Sequence, residues 1–262
     1  MNDDELMDCL WQSYREITPQ VTAVHALLAE RGENIVNDHV ALRTFGLPPI
    51  DRLAMAKPFL ERGFQPRDVY HFSEKHLHAQ YYEKPGQPKV FISELELDQL
   101  PVAAQQLVAN LVAQLPDGFV VDSGWVASGR VFRLTSAEYE ALAQVSEYAA
   151  WVAAHGFRAN HFTVSVGELK SVAGIEGLVA LLQQAGFALN DNGGVIKGGA
   201  EVYLAQVSTL ADEVEVRFTD RTLRIPSCYV EFAQRFELPL GGRYEGFVPA
   251  SADRIFESTD RR

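Results

Sequence analysis

Apolar positions along the first thirty residues recur at three- and four-residue spacing: Leu6, Leu10 and Tyr14, then Val21, Val24, Leu27 and Leu28. This is the pattern of helices with one buried stripe. Thr18-Pro19 interrupts it, because a residue before proline avoids the helical region. Two helices are therefore expected within residues 3–31, with Gly32 as a C-terminal stop. Residues 38–45 read as a strand and 50–62 as a helix with Leu53, Ala56, Phe59 and Leu60 on one face. Strands follow over 64–72, 79–83 and 89–95, with Pro85-Gly86 as a turn. Helical spacing returns over 98–117 and 136–155, the second stretch opening on Ser136 as N-cap. The order then repeats: a strand over 161–166, a helix over 174–185, and strands over 201–208, 213–219 and 225–232.

The repetition extends to individual residues. His39 and His161 each stand near the start of a strand, 122 residues apart (161 − 39), and the Gly-Phe pairs that end the following helices, Gly63-Phe64 and Gly186-Phe187, are 123 apart (186 − 63). A near-constant offset marks two copies of one supersecondary unit. Each copy reads β-α-β-β-β. The expected fold class is α+β: two fused β-α-β-β-β modules, 33–97 and 158–236, around a central site, with N-terminal helices and linking helices over 98–157. Nothing like a flexible linker separates the copies, so residues 1–262 are expected to form a single fused unit. The closing segment, 237–262, carries Phe247, Val248, Ile255 and Phe256 and is too apolar to hang free.

With 47% apolar and 22% charged residues the chain can build a sizeable core. Its formal charge of −12, with basic residues scattered, argues against a nucleic-acid backbone as partner. An acidic N-terminus without a signal-peptide pattern, and no apolar run of the roughly 18 residues a span requires, lead to the expectation of a soluble, cytoplasmic protein with no membrane partner. Cys9 and Cys228 lack metal or disulfide spacing and read as reduced structural thiols.

Equivalent histidines in duplicated strands can converge on one centre. A third candidate, Glu231, lies in the otherwise apolar run Ser227-Cys228-Tyr229-Val230-Glu231-Phe232, where a carboxylate is costly unless paired or bound to metal. Two imidazoles and one carboxylate suit divalent iron, manganese or zinc and leave coordination positions open. Arg43 shares a strand face with His39 and Ala41, about 13 Å along at ~3.3 Å per residue. There it either binds the far carboxylate of a small diacid or forms a structural salt bridge. A competing cluster, His76-Leu77-His78 with Glu83 and nearby His71, has His-x-His-x4-Glu spacing like a cupin metal motif, but the second half of that motif is missing. Gly193 to Gly199 lacks the Gly-Lys-Ser/Thr of a phosphate loop and reads as a mobile loop near the mouth of the site.

Four segments in order carry a family resemblance: Asp38 to Phe45, Asn160 to Thr163, Tyr229 to Phe232 and Phe247 to Ser258. Over about residues 30–260 the chain resembles the 2-oxoadipate dioxygenase/decarboxylase (2-hydroxyglutarate synthase) family, first catalogued as unknown-function family 1338 and similar in fold to the vicinal oxygen chelate proteins. The resemblance implies iron(II) held by His39, His161 and Glu231, a substrate carboxylate held by Arg43, and weaker substrate contacts at Ser251 and Ala250. It also implies a 2-oxo acid and dioxygen as substrates, with decarboxylation and hydroxylation of the adjacent carbon. A non-redox metal-dependent lyase, isomerase or hydrolase, and a small-molecule-binding protein without turnover, remain the alternatives from the residues alone.

Overall fold

The computed structural model describes residues 1–259, so positions 260–262 of the closing segment lie outside the described residues. Helices α1 (Asp3–Arg15) and α2 (Pro19–Ala29) divide at the Thr18-Pro19 step, and α1 opens on a reciprocal capping box between Asn2 and Glu5. Leu6, Leu10 and Tyr14 form the buried stripe. The first module follows as β1 (Asn37–Phe45), α3 (Arg52–Leu60), β2 (Gln65–Phe72), β3 (Leu77–Glu83) and β4 (Lys89–Leu95). Helices α4 (Val102–Val112), α5 (Ser136–Val145) and α6 (Glu147–His155) link it to β5 (Ala159–Ser165), α7 (Gly174–Gln184), β6 (Lys197–Gly199) and β7 (Leu204–Ser208). Then come β8 (Glu213–Arg217), β9 (Thr222–Pro226), β10 (Glu231–Arg235) and the last helix, α8 (Pro249–Phe256).

One eight-stranded sheet runs β2-β3-β4-β1-β5-β10-β7-β6. Read from its centre outward, each half has the same sequence of pairings. β1 is parallel to β4 and β5 to β10; the remaining pairs within each half are antiparallel. The halves meet where β1 and β5 pair antiparallel, with register irregularities at Asn37/His39 and Ala41/Leu42. Such bulges bend a strand and add twist.

Three expectations need correction. The helix over 136–155 breaks at Ser146, whose extended backbone and side chain cap α6 through the Ala149 amide. Its N-cap is Thr135, in a capping box with Glu138, while Ser136 sits one residue inside and bonds Asp220. In the second module the strand expected over 225–232 is split. β8 and β9 form a separate hairpin with exposed Glu213, Glu215 and Arg224, and only β10 rejoins the sheet. Between them Ser227 to Val230 are buried outside any ladder, their backbone satisfied partly by the Asp212 and Thr209 backbone and partly by side chains: Trp151 Nε1 donates to the Ser227 carbonyl, Tyr14 to the Tyr229 carbonyl, and the Val230 amide to Thr209. A run apolar on both faces carries no period to mark where pairing begins.

His155 ends α6 against the Pro226 carbonyl, 2.8 Å from Nε2, and burial pushes its pKa down to about 3. The neutral ring is thus required by the fold. Stability from this group is fully present above the unfolded-state value of 6.5 and is lost as pH falls toward 3. About 2 kcal/mol should be gone by pH 5. Melting curves of His155→Gln against the parent, from pH 7 to 4.5, should show a shallower acid decline in the variant.

Candidate metal centre

Register places the three ligand candidates on neighbouring strands. His39 lies opposite Thr163 and Ala41 opposite His161 across β1–β5, and Thr163 lies opposite Glu231 across β5–β10. All three are buried, and one ligand atom from each lies within 4.8 Å of the others. His161 Nε2 is 3.0 Å from Glu231 Oε2, and His39 Nε2 is 3.8 Å from Glu231 Oε1. The duplication is asymmetric in one respect. Phe91 pairs two residues past His39, where Glu231 pairs two residues past His161. The second copy alone supplies the carboxylate.

Each histidine is oriented by the residue before it. His39 Nδ1 lies 2.7 Å from Asp38 Oδ1, and His161 Nδ1 lies 3.1 Å from Asn160 Oδ1. With Nδ1–H donating to these oxygens, both Nε2 atoms are left as acceptors: His39 Nε2 takes the Thr163 hydroxyl at 3.0 Å, and His161 Nε2 faces Glu231. Asp38 is gripped by Arg235 at 2.6 and 2.9 Å. Burial raises its carboxyl, but His39 and Arg235 outweigh that and hold it well below the usual range. Burial pushes the His161 imidazole down, against the pull of Glu231. Burial opposes ionisation of Glu231, yet His161, His39 and a 2.7 Å bond from Gln206 Nε2 keep it ionised. Two unprotonated acceptors therefore face each other at 3.0 Å, and Glu231 Oε2 has no hydrogen-bond donor. A cation resolves this. Donors held at ~2.1 Å by a first-row metal sit about 3 Å apart when adjacent, which the arrangement approaches. Asp38→Asn should lower metal affinity about 10- to 100-fold, checked by chelator competition.

The centre opens on a cavity of about 20 Å³ walled by Ala41, Phe91, Phe247, Ala252, Ile255 and Phe256. Arg43 lines it, but its terminal nitrogens turn outward to Glu147 (3.3 Å) and Thr259 (3.2 Å), and the guanidinium lies over the Tyr148, Trp151 and Phe256 rings. Neither Ser251 nor Ala250 reaches the cavity. Ser251 is buried beside Gly198 and Ala250 is exposed, while Ala252, Ile255 and Phe256 of the same helix form the wall.

The competing histidine cluster does not assemble. His78 stacks on His71 at 4.3 Å and faces Glu94, Glu83 is taken by Arg67, and His76 occupies a left-handed turn position. Among the described residues, His39, His161 and Glu231 are the one such group. The Gly193 to Gly199 segment is pinned beneath α8: Gly193 abuts Arg254, and the buried Lys197 ammonium bonds the Asn190 and Gly194 carbonyls. Cys228 is buried, its thiol pushed up to about 12 by desolvation, which removes it as a nucleophile.

Sequence reasoning did not assign roles to Asp38, Asn160, Glu147, Gln206, Tyr229 or Arg235. Asp38 and Asn160 had a usable signal, a polar residue preceding each duplicated histidine. The others meet the site only through tertiary packing: Gln206 and Arg235 by strand register, Glu147 from α6 and Tyr229 from the segment before β10.

The family model described as 2-oxoadipate dioxygenase/decarboxylase matches residues 4–117 and 129–241. The chloroplastic 2-oxoadipate dioxygenase/decarboxylase of Arabidopsis thaliana is 35% identical over 255 residues, 87% of this chain and 69% of that one. A crystal structure of hydroxyglutarate synthase from Oryza sativa, in complex with 2-oxoadipate, superposes with a TM-score of 0.93 at 30% identity, covering 98% of this chain and 91% of the other. A Shewanella frigidimarina protein, provisionally described as a hydrolase, superposes with a TM-score of 0.89 at 44% identity, covering 94% and 98%. A glyoxalase-superfamily protein from Ralstonia eutropha, at 21% identity and a TM-score of 0.73 over 92% of this chain and 84% of that one, shares the paired-module fold.

Proposed function

Since the chain belongs to the 2-oxoadipate dioxygenase/decarboxylase family, we propose that it is an iron(II)-dependent oxygenase converting 2-oxoadipate and dioxygen to 2-hydroxyglutarate and carbon dioxide. The observation that carries the reading is the pair of buried lone-pair donors, His161 Nε2 and Glu231 Oε2, facing each other with His39 Nε2 beside them. Iron(II) held there would supply a Lewis-acidic centre able to bind a 2-oxo acid and reduce dioxygen. Atom balance assigns both oxygen atoms to the five-carbon product, one in the new carboxylate and one in the 2-hydroxyl.

The protein's own tasks are binding, orientation and exclusion of water. Asp38 and Asn160 keep both imidazoles in the ligating tautomer. Gln206 holds the Glu231 carboxylate in place. Phe91, Phe247, Ile255 and Phe256 keep the cavity apolar, which strengthens charge interactions inside it. Arg43 supplies the cation for the far carboxylate. Ligand pockets ordinarily measure about 300–1,000 Å³, so a cavity of about 20 Å³ must open to admit a six-carbon diacid. Helix α8 contributes three of its walls and is the element whose displacement would do so.

The test is anaerobic loading with iron(II), addition of 2-oxoadipate, and simultaneous measurement of oxygen uptake and 2-hydroxyglutarate. The expected result is one product per oxygen consumed. No uptake with 2-oxoadipate or other 2-oxo acids would sink the redox reading in favour of non-redox metal chemistry, for which the Shewanella relative's description names hydrolysis.

A further inference from the structure

Among the described residues, eleven buried side-chain atoms have no hydrogen-bond partner, and five of them belong to residues that line this one cavity: Arg43 Nε, Asn160 Nδ2, Gln206 Oε1, Tyr229 Oη and Glu231 Oε2. Glu231 Oε2 is accounted for by a cation. Arg43, Asn160 and Gln206 each place another polar atom in a bond described above. Tyr229 differs, because the hydroxyl is its only polar side-chain atom.

A fully buried phenol ordinarily finds a partner. Everything else about Tyr229 would be served by phenylalanine. Its ring stacks on His161 at 4.7 Å and 28°, and its backbone carbonyl accepts from Tyr14. Neither contact uses the hydroxyl. Tyr229 lines the same cavity as Arg43 and the three ligand candidates. Ser93, the other hydroxyl on the cavity wall, is already engaged with Tyr148 and the Leu42 carbonyl.

Building on the substrate class proposed above, we propose that Tyr229 is a substrate-binding residue whose hydroxyl donates to the far carboxylate of the 2-oxo acid, alongside Arg43. The two donors differ in kind. Arg43 supplies charge, and Tyr229 supplies a directed hydrogen bond that the free protein leaves unmet. A site with a buried donor awaiting its acceptor rejects analogues that lack the acceptor. Tyr229 thus contributes to the preference for a diacid over a monoacid of equal length.

Tyr229→Phe removes one oxygen and keeps the stack on His161. Binding to the iron(II)-loaded protein is measured by calorimetry without oxygen, using 2-oxoadipate and 2-oxohexanoate, which share six carbons and differ in the far carboxylate. The variant should bind 2-oxoadipate about 10- to 100-fold more weakly and 2-oxohexanoate as the parent does. Its iron affinity should be unchanged and its melting temperature equal or higher. Equal weakening of both probes would put the hydroxyl at the keto-acid end and overturn the inference. Unchanged 2-oxoadipate binding would overturn it too, as would a lower melting temperature with loss of iron, the mark of a structural role. If the parent itself binds neither probe, the functional reading fails first and this inference falls with it.

Discussion

His161→Ala should lose bound iron and turnover together, with activity falling at least about 10³-fold, as expected when a residue of a unit-acting centre is removed. The reason lies in the spacing. His161 Nε2 faces Glu231 Oε2 at 3.0 Å, and His39 is farther from the carboxylate at 3.8 Å. Without the imidazole, a buried carboxylate keeps one histidine as co-ligand and must shed its charge or admit water. Two readouts besides turnover separate this from a folding defect. Iron per chain should fall toward zero. The rise in melting temperature that metal confers on the parent, which follows RT ln(1 + [metal]/Kd), should vanish. A variant that kept stoichiometric iron and its metal-dependent melting shift would move the centre elsewhere.

Arg43→Ala carries the second large effect, and it falls on substrate rather than metal. Arg43 is 1% exposed, enclosed by Tyr148, Trp151 and Phe256, and bonded to Glu147 and Thr259. Its loss leaves a cavity and an unpaired Glu147. Together these are expected to cost about 3 kcal/mol of stability. If the guanidinium also holds the far carboxylate, kcat/KM for 2-oxoadipate should drop by at least about 100-fold while iron stays bound. Arg43→Lys should restore charge without the planar fork and recover only part of the loss. Glu147→Gln is the control: it removes the ion pair from outside the cavity and should lower stability with little change in KM. Denaturant titration, iron content and steady-state kinetics on the three variants would decide the matter. Loss of iron in Arg43→Ala would make Arg43 mainly a structural residue.

The N-terminal helices and the helices and strands of the first module were legible because each has a clear period or a clear stop. Leu6, Leu10 and Tyr14 mark α1, Thr18-Pro19 divides α1 from α2, and Pro85-Gly86 separates β3 from β4. The second module was harder. Ser227 to Phe232 is apolar on both faces, so no alternation revealed that the β8–β9 hairpin leaves the sheet or that pairing resumes at Glu231. In α8 the chain sequence pointed to the right segment, but the helix turns Ala252, Ile255 and Phe256 to the cavity and buries Ser251 against Gly198.

By itself, the sequence determined what recurs locally: the duplicated β-α-β-β-β unit, the paired histidines 122 residues apart, and a carboxylate in an apolar run. These follow from period and residue type, which are properties of neighbours in the chain. Only the tertiary structure decided which distant groups meet. Asp38 finds Arg235 across 197 residues, Arg43 finds Glu147 across 104, and Gln206 finds Glu231 across 25. Strand order and register set the first and third, and the packing of α6 on β1 sets the second. A slip of one residue would turn each side chain to the opposite face of the sheet, so no local pattern could have announced them.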